Sequence, residues 1–268
     1  MQKIYKDILT ASVSRGHDAT GIAATMSDGK IRVSKAPNPS PLFVNDAAYK
    51  VVMDANPVTV IGHVRAATKG SPLINNNNHP ILAGNIVGVH NGVIRNDDYL
   101  TKHYHLKRYA EVDSEVVFSL LEKLGPLTKT GIQRALSVLD GQYALAFQHA
   151  EQPGKIWLVR GPGRPLVIAR DIKLNTTWFA SEAKFILRAY RLNNRSTLNL
   201  EIGEMEEGDV MSISLKDPSA VVIPTEKKKS RVHAFSRKHE VFDCNTNRTH
   251  MAQLEWFEGS LREKCGFH

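Results

Sequence analysis

Thiols are scarce in this chain: its 268 residues contain only Cys244 and Cys265, both near the carboxyl end. So small a supply excludes a disulfide framework and makes a reducing, cytoplasmic setting the expectation. Long apolar runs are missing as well, since none approaches the roughly 18 residues that a membrane-spanning helix needs, and no membrane partner is expected. The opening "MQKIYKDILTASVSRG" lacks the apolar centre and the small-residue cleavage site of a secretory leader. There is no internal repeat, and the one biased tract, Asn75 to Asn78, reads as loop. Acidic residues are outnumbered, which gives a formal charge of +8 and a pI near 9.4. The excess is thinly spread except for "KKKSRVHAFSRK" at 227 to 238, where Phe235 is the only aromatic. Nucleic-acid readers interleave aromatics with their basic residues, so a solvated linker is the reading and no nucleic-acid partner is expected.

What is present fits a folded chain, with 42% hydrophobic and 23% charged residues. The length admits one large core and an appendage. Short apolar runs bounded by Gly, Pro or Asn recur: "VTVIGHV" at 58, "GNIVGVH" at 84, "QYALAFQ" at 142, "KIWLVR" at 155, "PLVIAR" at 165, "TTWFAS" at 176 and "GDVMSISL" at 208. These read as strands. In "DSEVVFSLLEKLG" from 113, Val116, Val117, Leu120, Leu121 and Leu124 recur at helical spacing and stop at Gly125. Further helices are predicted through "TGIQRALSVLD" from 130 and "SEAKFILRAY" from 181, the latter capped by Ser181. Many strands in succession with few helices predict mainly antiparallel sheets covered by helices. The body is expected to span 1–224. Residues 225–268 would be a basic linker and a helical extension whose Met251, Leu254, Phe257 and Leu261 share one face.

Two fragments suggest a site. "IGHVRAATKG" sets His63 and Arg65 at a strand end, and "GVHNGVIRN" carries Asn91 and Gly92 at another. Together with "RGHDATGIA" at 15, "NHPI" at 78, "EVDSEVV" at 111, "GQYALAF" at 141, "WLVRGPGRPLVIA" at 157 and "WFASEAKFI" at 178, in this order over roughly residues 1 to 215, the sequence resembles the class II glutamine amidotransferases. The resemblance implies an α+β, Ntn-hydrolase-like fold: a four-layer αββα sandwich of two mainly antiparallel sheets. It also implies a glutaminase site. Glutamine presents a carboxylate, an ammonium and a neutral amide, so its site needs a cation, an anion and oxyanion donors. By resemblance Arg65 pairs with the carboxylate through its planar fork, Asp113 holds the ammonium, and Asn91 and Gly92 form the oxyanion hole. Taken singly, each has a plainer reading: a surface ion pair for Arg65, a hairpin turn for Asn91-Gly92, a helix cap for Asp113. His63 and His90 are not expected to bind metal, and no cofactor is expected. "RGPGRPL" lacks the Lys-Ser/Thr ending of a phosphate loop and precedes a strand.

The family's nucleophile is an N-terminal cysteine on a strand of about ten residues that leads into a helix, and the sequence opens Met1-Gln2-Lys3, inside that helix. The expectation is an N-terminally incomplete fold without catalysis as it stands. Cleavage before Thr10 would leave too few residues ahead of Arg15 for a strand and a helix, and Cys244 and Cys265 lie beyond the body. Loss of the first strand would leave two neighbours with unpaired ladder groups. Upstream residues, a partner segment or a rearranged fold would have to fill the place. Two functions follow from these readings. The first is a glutaminase domain whose ammonia goes to an acceptor synthase on a separate chain. The second is an inactive relative serving as a structural or binding subunit of an assembly such as a virus particle.

Overall fold

The computed structural model describes residues 1–216 together with Val221, Ile223 and Pro224. The extension expected over 225–268, with its helix and both cysteines, lies outside the described residues.

Each predicted strand is present. The run at 58 forms β3 (Thr59–Arg65), preceded by β1 (Ala19–Thr25) and β2 (Ile31–Ala36), and these three pair in the order β2-β1-β3. The run at 84 forms β5 (Ile86–Ile94), paired with the short β4 (Ile81–Ala83) and with β6 (Gly141–His149). With β7 (Lys155–Arg160) and β11 (Val210–Ser214) they make a five-stranded sheet, β11-β7-β6-β5-β4. A third sheet joins β8 (Val167–Asp171), β9 (Thr176–Ala180) and β10 (Leu200–Glu204) in the order β10-β8-β9. Every pairing is antiparallel. β1 escapes a reading by alternation because all seven of its residues, "ATGIAAT", are buried. A strand covered on both faces shows no polar period.

The helices are α1 (Gln2–Ala11), α2 (Ser40–Phe43), α3 (Ala47–Asp54), α4 (Asp97–His103), α5 (Ser114–Leu124), α6 (Lys129–Leu136) and α7 (Ala183–Leu192). α6 stops at Leu136, so "SVLD" is not helical as its apolar spacing suggested. The cap of α7 is Glu182, not Ser181, and its side chain makes no capping bond. Lys184 and Arg15 hold that carboxylate instead, at 2.6 and 3.7 Å.

Packing produces four layers. One core lies between α5 and α6 and the five-stranded sheet, with Phe118, Leu121, Ile132, Phe147 and Trp157. A second lies between the sheets: Ala23 and Ile61 from the first, Val89, Ala146 and Leu158 from the five-stranded one, Ile168 from the third. The outer faces of the two smaller sheets are covered by helices. Leu9 of α1 and Val52 and Met53 of α3 pack over β1 and β3, and Ile4 and Ile8 of α1 join Ile186 and Tyr190 of α7 over β8 and β9. The order is helix, sheet, sheet, helix, as the resemblance implied.

Candidate functional site

Arg65 ends β3, and its guanidinium is buried. Nη1 donates to Asn78 Oδ1 at 2.8 Å, while Nη2 donates to the carbonyls of Lys69 and Gly70 at 2.6 and 2.9 Å. No carboxylate is among these partners, so this is not a surface ion pair. Three of the five guanidinium donors are spent on fixing the group and two remain. Burial lowers its proton affinity, and Asp18 and Asp113 oppose that. A fixed cation with spare donors and little water around it suits an anionic ligand.

Asn78, at the end of the polar run read as loop, carries much of this arrangement. It and Asn77 are fully buried. Asn78 Nδ2 donates to the Pro72 carbonyl at 2.6 Å and to Asn75 Oδ1 at 3.1 Å, and the Asn78 carbonyl accepts from Lys35 Nζ at 2.8 Å. Asn77 exchanges hydrogen bonds with Glu111, donating to Oε2 and accepting from the backbone N–H, both at 2.8 Å. The asparagines thus tie the loop beyond Arg65 to the segment carrying Asp113. The fragment "NHPI" was the signal in the sequence, but its task was not legible: a run of asparagines looks the same whether solvated or buried.

Asp113 occupies the N-cap position of α5 but does not cap it with its side chain. Its Oδ2 instead accepts the Ile94 N–H at 2.6 Å, which aims the buried carboxylate at the end of β5. Asn91 and Gly92 are not a hairpin turn either, because β5 runs through them, pairing Asn91 with Ala144 and Gly92 with Tyr143. Gly92 has φ +151, and a Cβ there would fall 1.8 Å from the Gln142 carbonyl oxygen and 2.7 Å from His90 Nε2. Only glycine fits. The Asn91 side chain is half-buried and makes no hydrogen bond among the described residues.

Arg65, Asn91, Gly92 and Asp113 line a single cavity of about 650 Å³. The structure therefore brings all four predicted residues together. It adds Arg164, from the loop dismissed above as a phosphate binder, which also lines the cavity and whose buried Nε has no partner among the described residues.

Three imidazoles stand beside them. The ring of His63 lies 4.3 Å from that of His79, and His79 lies 6.4 Å from His90. Among the described residues no group of three or more His, Cys, Asp or Glu is arranged to hold a metal ion. Burial drives all three towards the neutral form. His63 falls to about 3, with His90 and Arg65 adding repulsion, and His79 falls well below 6.5 under burial, then His63, His90, Arg65 and Lys35. For His90, burial outweighs the attraction of Asp113 and the pull of the Gln142 carbonyl, whose approach to Nε2 falls short of a hydrogen bond. His90 Nδ1 pairs with Ser114 Oγ at 2.8 Å, which anchors the first residue of α5 to β5.

Comparison with known proteins adds to this geometry. Residues 63–188 match the model of a glutamine amidotransferase domain. Over 251 residues the chain is 26% identical to glutamine–fructose-6-phosphate aminotransferase (isomerizing) of Vibrio parahaemolyticus, covering 91% of this chain and 38% of that protein. It is 28% identical over 177 residues to 7-cyano-7-deazaguanine synthase of Saccharolobus solfataricus, covering 65% of this chain and 38% of that protein. Among solved structures, the glutamine phosphoribosylpyrophosphate amidotransferase of B. subtilis superposes with a TM-score of 0.63 at 24% identity, over 80% of this chain and 44% of that one. The chain spans less than half the length of each of these relatives.

Proposed function

We propose, from the premise that this chain carries a class II glutamine amidotransferase domain, that its cavity binds glutamine and is built to release ammonia from it. The carrying observation is that Arg65 and Asp113, opposite in charge and both buried, line one cavity with the unpartnered amide of Asn91. Arg65 would take the α-carboxylate with its remaining donors and Asp113 the α-ammonium, which presents the side-chain amide to Asn91 Nδ2 and the Gly92 N–H. Attack by a thiolate on the amide carbon forms a C–S bond, and collapse breaks the C–N bond as the thiol proton passes to departing ammonia. Water then cleaves the thioester to glutamate and regenerates the thiol. Among the described residues the contribution is binding, orientation and charge stabilisation.

The ammonia acceptor we place on a separate chain or module. The relatives' names describe quite different products, so the acceptor is not set by the domain they share. The setting we propose is the cytoplasm. The absence of a thiol from the described cavity also favours a second reading, a glutamine-binding subunit without turnover.

Both readings need the site to bind glutamine. Calorimetry with the full chain should detect weak binding of glutamine and glutamate. Arg65→Lys is expected to weaken it about tenfold or more, because an ammonium cannot reproduce the fork, and Asp113→Asn to do the same by removing the countercharge. Circular dichroism of each variant separates lost binding from lost folding. A well-folded parent that binds neither amino acid would overturn both readings.

A further inference from the structure

Alternation along β2 sets a cation where the layered fold calls for an apolar side chain. Ile31 and Val33 pack against the core between the sheets, and Ala36 packs with α3 on the opposite side. Lys35, two residues beyond Val33, therefore belongs to the inward face. Burial lowers its pKa to about 8, which leaves it charged at neutral pH, and among the described residues it forms no ion pair. A partly buried ammonium without a carboxylate costs stability that a methionine in the same place would not.

The ammonium is spent on backbone. Nζ donates to the carbonyls of Asn78 and Pro80, at 2.8 and 3.0 Å, one on each side of His79. Register explains the reach, because Lys35 is paired with Gly21 of β1 and cross-strand partners project from the same face. A Cβ at Gly21 would overlap the His79 carbonyl and stand 3.0 Å from Pro80 Cδ. The His79-Pro80 backbone thus lies directly on Gly21, and Lys35 closes over it from the neighbouring strand.

What this clamp holds is Asn78. Its Oδ1 accepts from Arg65 Nη1 at 2.8 Å, whereas its Nδ2 bonds, to the Pro72 carbonyl and to Asn75 Oδ1, stay within its own loop. Lys35 stands on β2 and Arg65 on β3, the strands flanking β1. Asn78 bridges them, its backbone held by one cation and its side chain holding the other. A charged donor suits the task, since its hydrogen bonds are roughly twice as strong as those between neutral groups. Both cations also repel a proton from His79, so they bear on the same small region, and the second adds to the attraction for an anion held by the first.

We propose that Lys35 is a positioning residue for the ligand's carboxylate: it clamps the Asn78–Pro80 backbone onto β1 and, through Asn78, holds the Arg65 fork in the orientation that an α-carboxylate needs. Neither Lys35 nor Asn78 lines the cavity, so the action is indirect. The inference rests on the glutamine reading, because glutamine supplies that carboxylate.

Glutamine titrations of the full chain, followed by NMR so that weak affinities are measurable, test it. Lys35→Met should weaken binding about tenfold, the scale of one charged hydrogen bond. Lys35→Arg keeps the charge and the donors, and should stay within about threefold of the parent. In an Arg65→Lys background, Lys35→Met should cost less than about twofold more, since the fork that Lys35 holds is already gone. A full tenfold cost there would mean that Lys35 acts on the cavity as a whole, and would overturn the proposal. So would a Lys35→Met chain that binds as the parent does, or a Lys35→Arg chain as weak as Lys35→Met. Should circular dichroism show Lys35→Met unfolded, Lys35→Gln, one atom shorter and uncharged, carries the same expectations. A parent that binds no glutamine would overturn the glutamine reading and the positioning role with it, whereas a parent that binds beside an unaffected variant would overturn the positioning role alone.

Discussion

The chain alone is expected to release glutamate from glutamine no faster than background, on the order of a millionfold below a complete acyl-transfer enzyme, which is the scale of losing a nucleophile. Binding and oxyanion stabilisation cannot replace the covalent step, and among the described residues no thiol lines the cavity. The cavity wall does offer hydroxyls, and Ser114 is the one paired with an imidazole, at 2.8 Å from His90 Nδ1. That side chain is buried at the start of α5 and has no free amine beside it. It therefore reads as an anchor. A coupled glutamate dehydrogenase assay would decide the matter. Turnover that survives Cys244→Ala with Cys265→Ala and disappears in Ser114→Ala would make Ser114 the nucleophile. Turnover lost with the cysteines would assign it to the carboxyl-terminal segment.

Much of this site was legible because its parts are short and chemically distinctive. Arg65 at a strand end, Asn91-Gly92 on a second strand and Asp113 ahead of a helix line one cavity. The seven predicted strands fall on alternating or continuous apolar runs bounded by turn residues, which is the pattern a layered sheet imposes. What stayed hidden depended on partners distant in sequence. β1 is built of small residues that carry no period, and its strand character comes from lying between β2 and β3. Asn77 and Asn78 belong to the core because Glu111 and Arg65 complete their hydrogen bonds across 34 and 13 residues. The cap of α7 is Glu182, whose carboxylate is held by Lys184 two residues on and also by Arg15 from beyond α1, a contact no local propensity can register.

The buried imidazoles lead to the other large effect, a steep loss of stability in mild acid. An unfolded chain binds a proton to each histidine near pH 6.5. In the folded chain His63 does so only at about 3, and His79 well below 6.5, because burial in a wall shared with Arg65 and Lys35 penalises the charge. A folded pKa below the unfolded one means that the unfolded state holds more protons as pH falls, so stability is complete above pH 6.5 and drains away below it. Each such histidine costs up to about 1.4 kcal/mol per pH unit. His63 alone should remove about 2 kcal/mol between pH 7 and pH 5, and His79 adds to that loss in the same direction, against the 5–15 kcal/mol typical of a domain. Carboxylates contribute little in this window, since most titrate lower. Urea unfolding at pH 7, 6 and 5 would measure the slope, and His79→Leu should reduce it while leaving a variant that folds at neutral pH. The close approach of His63 and His79, with ring centroids 4.3 Å apart, makes the two interdependent, because a proton on either would raise the cost of one on the other. A stability that stays flat from pH 7 to pH 5 would show that water reaches these rings, and that the wall around Arg65 is more open than its hydrogen bonds suggest.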